Sequence, residues 1–259
     1  MIGAVVLAGR PNTGALAGLG PEASEALIEI AGRPMLAHIL EALAACAELD
    51  PICVVGPVTA LSPWVDGRRV IAVPAGATLT ENVRRGVAAL AGRRWALILT
   101  SDIPLVRPQT IEEFLAHCDR QGARFFYPIV PRACYEQRFP GSRRTYARLA
   151  DGVFTGGNAF FVDTEIVNGA LELLDRFYAM RKSPLRLAQF LGPSFVVRLL
   201  LGRLRLVELE QRISQWVGAP GKAVICEHAE IGFDVDRPED VAIAEGYLRT
   251  ENAHEPLTT

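Results

Sequence analysis

Short apolar runs alternate with stretches of helical spacing along most of this chain. Residues 2–7, 52–55, 69–73, 96–99 and 124–130 are compact runs that read as strands. The unbroken apolar character of 2–7 and 96–99 predicts burial on both faces of a sheet. Between them, Ala31-Gly-Arg-Pro34 opens a helix with Pro34 in its first turn. Leu36, Ile39, Leu40 and Leu43 of that helix follow the i, i+3, i+4, i+7 spacing of a core-facing stripe. Residues 78–90 (Leu79, Val83, Val87, Leu90) and 108–118 (Ile111, Phe114, Leu115, Cys118) show the same stripe. Strands alternating with such helices need crossover connections, so the pattern predicts a three-layer α/β/α sandwich with a mostly parallel sheet.

Residues 131–151 break the rhythm. Arg143, Arg144 and Arg148 fall there with Tyr135 and Tyr146, without a clean period. Such an excursion reads as a lid or substrate wall suited to a phosphorylated or carboxylated ligand, with a solvated basic face as the alternative. Gly156 and Gly157 then precede a strand that runs to Val162, allowing close backbone approach, and Asn158 offers both donor and acceptor. Residues 164–180 read as a long helix and 184–215 as further helices broken at Gly192-Pro193 and Gly202, together a helical insertion over 164–216. An ordinary helical subdomain on the sheet edge is the plainer reading, with a homodimer contact or a position beside the ligand as alternatives. Residues 223–226 resume strand, 231–235 lead into Asp234-Val-Asp236, and Pro238 opens a closing helix. One domain is expected over 1–250, with 251–259 a disordered tail.

At 259 residues the chain can bury one large α/β core. Its formal net charge of −2 exerts no general pull on nucleic acid or acidic membranes. Cys46, Cys53, Cys118, Cys134 and Cys226 are scattered and form no CxxC pair. That fits reduced thiols in a cytoplasmic protein, not a disulfide framework or a zinc site. The N-terminus has no basic segment and runs straight into a glycine loop, so it reads as a strand and not a signal peptide. The greasiest stretch, 195–201, carries Arg198 and is far too short for an integral membrane segment.

Candidate chemistry gathers where strands end. The run 96–99 stops in Thr100, Ser101 and Asp102, and ligands of open α/β sheets bind at such carboxyl ends. Asp102 there could hold a metal or cap a turn. The loop 8–20 contains four glycines, which can turn backbone N–H groups toward a phosphate or base. It lacks a Walker lysine-serine pair and the dinucleotide spacing, and a flexible surface loop is its alternative. Asp236 could be the N-cap of the closing helix, and Glu239 and Asp240 suit its dipole. His38, His117, His228 and His254 are isolated in sequence and default to surface or packing roles.

Val5-Val-Leu-Ala-Gly9, Ala31-Gly-Arg-Pro-Met35, Thr100-Ser-Asp-Ile-Pro104, Thr155-Gly-Gly-Asn158 and Asp234-Val-Asp-Arg-Pro-Glu-Asp240 occur in one order. Together they resemble the nucleotidyltransferases with a molybdenum-cofactor guanylyltransferase-like NTP transferase domain, relatives of the cytidylyl- and uridylyltransferases of isoprenoid and amino-sugar synthesis. The resemblance implies a Rossmann-like, GT-A-type fold that transfers a nucleoside monophosphate from an NTP to a small phosphorylated acceptor, releasing pyrophosphate. Mapped by motif, Asp102 and Asp236 would be catalytic Mg²⁺ carboxylates. Leu7, Ala8, Gly9, Arg10, Gly76, Asn82 and Ser101 would face the nucleotide, and Arg33, Gly156, Gly157 and Asn158 the acceptor.

Two departures stand out. Relatives carry an arginine at the end of the glycine loop and a lysine about eight residues before the Gly-Arg-Pro motif. Here the loop ends Gly18-Leu-Gly-Pro21 and the lysine position is Glu25. Arg10 and Arg33 are the candidates to substitute. The missing cations keep open a nucleotide- or sugar-phosphate-binding protein with lost or altered catalysis. A metal-dependent glycosyltransferase using Asp234-Val-Asp236 is a third reading, disfavoured because that motif lies near the C-terminus.

Overall fold

The computed structural model describes residues 1–180 and 192–252. Strand β1 (Ile2–Leu7) forms the middle of a sheet because its side chains are apolar on both sides. Ala4 and Val6 join one core cluster, and Val5 joins the cluster on the opposite face. Strands β4 (Leu49–Gly56) and β6 (Trp95–Thr100) flank β1 in parallel and divide their residues in the same alternating way. Beyond β4 lies β5 (Val70–Pro74), also parallel.

Helices cover both faces. On one side α1 (Met35–Ala45) buries Leu36, Ile39, Leu40 and Leu43, and α4 (Pro108–Ala116) buries Ile111, Phe114 and Leu115. On the other, α3 (Leu79–Ala88) and α6 (Val167–Met180) contribute Val83, Val167 and Leu171. Gly86 lets α3 lie close on the sheet, since a Cβ there would collide with Val5. The mostly parallel, three-layer arrangement expected from the pattern is what forms.

Past β6 the sheet becomes mixed. Strands β9 (Gly152–Gly156) and β10 (Ala159–Asp163) follow one another with a break at Gly157-Asn158. β10 runs antiparallel between β6 and β7 (Phe125–Pro131), while β9 continues along β7 and carries β8 (Ala147–Leu149) on its other side. The final edge is β11 (Gly221–Ile225), parallel to β7. Its N–H groups at Gly221 and Ala223 are taken by the Ser214 hydroxyl (2.8 Å) and the Glu210 carboxylate (2.9 Å).

Three expectations change. Ala31-Gly-Arg-Pro34 does not open a helix. It closes a small hairpin of β2 (Glu29–Ile30) and β3 (Arg33–Pro34), and α1 begins at Met35. Ala31 (φ 52°) and Gly32 (φ 78°) both adopt positive φ, which is the two-residue turn that matches strand twist. The aperiodic stretch 131–151 is partly regular, holding α5 (Arg132–Arg138) and β8. The expected helix 164–180 begins as a 3₁₀ turn at Thr164–Ile166, capped by the Asp163 side chain.

Between β4 and β5 lies the short α2 (Val58–Leu61). Residues 184–191 of the expected helical stretch lie outside the described residues. The rest forms α7 (Pro193–Leu200) and α8 (Leu206–Val217), whose Phe195, Leu199, Leu206 and Leu209 pack on Ile129, Leu149 and Phe154 at the far part of the sheet. Val197, Leu200 and Leu201 remain exposed. The closing helix α9 (Pro238–Asn252) ends the described chain, so the expected tail at 253–259 lies outside it. Among the described residues, no helix is long and apolar enough to cross a membrane, and all five cysteines are free.

Candidate nucleotide site

Two acidic segments meet at the carboxyl end of β6. The Thr100 hydroxyl donates to the Asp102 carboxylate at 2.5 Å, and the Thr100 amide donates to the Asn158 carbonyl at 3.2 Å. The Val235 amide donates to the Asp102 carbonyl at 2.8 Å, bringing Asp234 and Asp236 up beside Asp102. Burial pushes the Asp102 carboxyl up to about 6; the Thr100 bond opposes this, and the charges of Asp234 and Asp236 add to it.

The two flanking aspartates have different fates. Asp234 is half-buried and paired with Arg144, a side chain only 14% exposed. Arg144 also donates to the Gly156 carbonyl at 3.1 Å and lies 5.7 Å over the Tyr135 ring. Asp236 is half exposed and does not cap α9. Asp240, in the first turn of α9, reaches back instead: its carboxylate accepts from the amides of Asp236 (3.3 Å) and Arg237 (3.0 Å) just before the helix. The Asp236 carboxylate faces Arg10 at 3.4 Å.

The glycine loop meets the start of α3. A Cβ at Gly9 would stand 2.8 Å from the Asn82 amide nitrogen and 3.1 Å from Ala75. Asn82 is buried, and its carbonyl oxygen accepts from the Gly76 amide at 2.6 Å. Gly76 is needed for the same closeness, because a Cβ there would run into the Glu81 carboxylate. The Thr78 hydroxyl caps α3 by accepting from the Glu81 amide (3.1 Å), and Glu81 accepts in turn from the Ala77 amide (2.8 Å). Ala8 is fixed by its amide bond to the Val55 carbonyl (2.8 Å) and by the Ser24 hydroxyl donating to its carbonyl (2.7 Å). Leu7 is half-buried at the end of β1, and Ser101 is buried beside Asp102. Gly9, Gly76 and Asn82 are thus brought together, with Leu7 and Ala8 leading into them.

Glu25 sits in a 3₁₀ turn (Glu25–Leu27) whose N-cap is Ser24. Its side chain is only 7% exposed and forms an ion pair with Arg10, the Nε lying 3.0 Å from a carboxylate oxygen. Burial raises the Glu25 carboxyl above its ordinary range, Arg10 draws it back down, and Asp236 adds to the rise. Arg33 stands apart from this assembly, pairing with Glu41 of α1 at 2.8 Å on an exposed surface.

A cleft of 320 Å³ opens beside Asp236, lined by Tyr127, Arg143, Arg144, Arg237, the Gly156-Gly157 pair and Asn158. The glycine pair and Asn158 are fixed from below: the Gly157 amide donates to the Pro128 carbonyl (2.8 Å) and the Asn158 amide to the Ile231 carbonyl (2.9 Å). A larger cleft of 690 Å³ lies around Arg107, Arg138, His228 and Glu230 and includes none of the expected site residues. His228 pairs there with Glu113 (2.8 Å), while His38 and His117 bond backbone carbonyls. His254 lies outside the described residues.

Among the described residues, no three His, Cys, Asp or Glu side chains gather closely enough to hold a metal by themselves. Asp102 and Asp236 could supply two hard oxygens, a set that suits Mg²⁺ when phosphates and water complete the shell. The roles of Arg144, Thr100 and Asp240 escape the sequence reading. Arg144 stands out there as one of several arginines, but its partner Asp234 is visible only once the chain is folded.

Residues 4–219 match the MobA-like NTP transferase domain. The chain belongs to that family. A hypothetical transferase from Thermus thermophilus has the same fold at a TM-score of 0.81 and 38% identity, covering 93% of this chain and 99% of its own. The 2-C-methyl-D-erythritol 4-phosphate cytidylyltransferase of Streptomyces coelicolor is 32% identical over 134 residues. That match spans 48% of this chain and 49% of the relative, about half of each. The 4-diphosphocytidyl-2C-methyl-D-erythritol synthase of Anaerococcus prevotii shares the fold at a TM-score of 0.59 and 14% identity, covering 96% of each chain. Glu25, the position at which the resemblance leads to a lysine, is buried and ion-paired with Arg10.

Proposed function

We propose that this chain is a Mg²⁺-dependent nucleotidyltransferase that moves a nucleoside monophosphate from an NTP to a small phosphorylated acceptor, with release of pyrophosphate. The observation that carries this reading is position: the Val235–Asp102 backbone bond holds the Asp234–Asp236 segment at the carboxyl end of β6, where Asp236 faces Arg10 of the glycine loop and lines the arginine-bordered cleft. Gly9 and Gly76, packed against Asn82 and Glu81, would present backbone groups to the base and ribose. Asp102 and Asp236 would hold Mg²⁺, which when bound neutralises charge on the α-phosphate and the departing pyrophosphate. Arg143 and Arg237 line the acceptor side, where guanidinium groups suit a phosphate. Arg144, fixed by Asp234, holds the Gly156 carbonyl and so shapes the acceptor wall. The cytidylyl relative makes CTP the first donor to try.

The test is pyrophosphate release from CTP, GTP, ATP and UTP with Mg²⁺ and a panel of phosphorylated acceptors. Asp236→Asn is expected to lower turnover by about a hundredfold or more, the loss typical of one electrostatic stabiliser at a reacting centre. Its thermal midpoint should stay near that of the parent, because the side chain is half exposed.

A second reading is favoured by Glu25 alone. A buried carboxylate at the lysine position would suit a nucleotide-binding protein that no longer transfers. Tight Mg²⁺–NTP binding with no pyrophosphate release across the panel would decide for it.

A further inference from the structure

We propose that Arg10 is the cation that grips the triphosphate in this chain, that Glu25 is the positioning residue that aims it, and that in the nucleotide-free protein Arg10 closes over the metal position by pairing with Asp236. This rests on the nucleotidyltransferase reading above. No lysine or arginine occurs between Arg10 and Arg33, and Arg33 is turned to Glu41. Arg144 is already taken by Asp234. Arg10 is therefore the cation of the glycine loop that lies next to a candidate metal carboxylate.

Its two ion pairs are unequal. The Glu25 partner is 7% exposed at 3.0 Å, and the Glu25 amide also donates to the Arg10 carbonyl at 3.0 Å, so this end is anchored by backbone and side chain together. The Asp236 partner is 51% exposed at 3.4 Å, the kind of contact that contributes little and is readily exchanged. Arg10 keeps its grip on Glu25 through Nε and exchanges the Nη side from Asp236 to phosphate oxygens as the nucleotide arrives. A guanidinium held by one edge retains a fork for the other, which a lysine could not do. In effect the glutamate braces the positive charge at position 10. The exchange frees Asp236 for the divalent ion in the same step.

The experiment measures two affinities on the full chain: Mn²⁺ alone, by the electron paramagnetic resonance signal of free ion, and each Mg²⁺–NTP, by calorimetry. Arg10→Ala is expected to tighten Mn²⁺ by about two- to fivefold, the worth of an exposed ion pair. The same substitution is expected to weaken Mg²⁺–NTP by about tenfold to a hundredfold, the worth of a charge-assisted bond. Arg10→Ala leaves the Glu25 carboxylate without its partner, so Arg10→Ala with Glu25→Gln is measured beside it and should show the same opposed pair of shifts. Arg10→Lys should recover only part of the nucleotide affinity. A merely structural role would move both affinities in one direction or neither, and either result overturns the proposal. An unchanged Mn²⁺ affinity with weakened nucleotide overturns the closing contact. Absence of NTP binding by the parent protein overturns the nucleotidyltransferase reading itself, and the phosphate grip with it.

Discussion

The Val235 amide and the Asp102 carbonyl are joined at 2.8 Å, and this bond makes a single site of two segments far apart in the chain. It is a backbone contact, so it is independent of the protonation state of either neighbouring carboxylate. The acidic side chains are held near one another whether or not they are charged, and the energetic consequence falls on Asp102.

Asp102 carries the clearest pH dependence. Its carboxyl sits at about 6 when folded, against an ordinary 3.8. A raised value means that the folded state binds the proton more tightly, so this stabilisation is full below about pH 4 and is lost as the pH rises through about 6. Asp102→Asn, which can still accept from Thr100, should therefore make the metal-free protein more stable at pH 7.5. The gain is at most about 3 kcal/mol at roughly 1.4 kcal/mol per unit, and less to the extent that water reaches the half-buried group. Urea unfolding in chelator at pH 7.5 and pH 4 reads this directly: the gain should be present at the first and absent at the second. Equal midpoints at pH 7.5 would contradict it.

The pair of Arg144 and Asp234 should behave as a buried unit. Arg144→Met leaves the Asp234 carboxylate without its partner in a poorly solvated position and is expected to cost about 3–5 kcal/mol. Arg144→Met combined with Asp234→Leu should recover most of that loss, since neither partner is then stranded. Guanidinium denaturation of the three variants tests it. A double variant no more stable than Arg144→Met would show that the wall at Gly156 needs the guanidinium for its own sake.

Gly9→Ala should separate nucleotide binding from acceptor binding. The added methyl would press on the Asn82 amide from 2.8 Å and loosen its bond to Gly76. The expected result is an NTP dissociation constant raised by about tenfold, the size of one well-placed hydrogen bond to a ligand, with the acceptor KM little changed. Equal losses on both substrates would count against the division of the site into two halves.

The layered fold was legible because burial on two faces writes itself as short apolar runs, as in β1 and β6, and one-faced helices write a stripe, as in α1 and α4. The position of Asp102 was legible for the same reason: the end of a buried strand is a local event. The turn at Ala31-Gly32 was not. An alanine at φ 52° contradicts its own preference, and Pro34 suits a helix start as well as the edge of a hairpin. The ordered motifs carried the family, and the comparisons bear that out. The pairings within the site could not be read, because Arg144 with Asp234 and Arg10 with Glu25 and Asp236 are meetings created by the fold. Chain order alone also left Asp236 open between a helix cap and a ligand carboxylate; in the fold it is Asp240 that bonds the amides before Pro238, and Asp236 turns to Arg10.

The flank of the sheet at β11 presents a carboxylate and a hydroxyl where an open strand would offer amide donors. A foreign strand arriving there finds two of the edge's amide donors already satisfied, so recruitment from that side is disfavoured. Assembly of this molecule with copies of itself across that border would first have to displace those two side chains, a barrier against runaway stacking of strands.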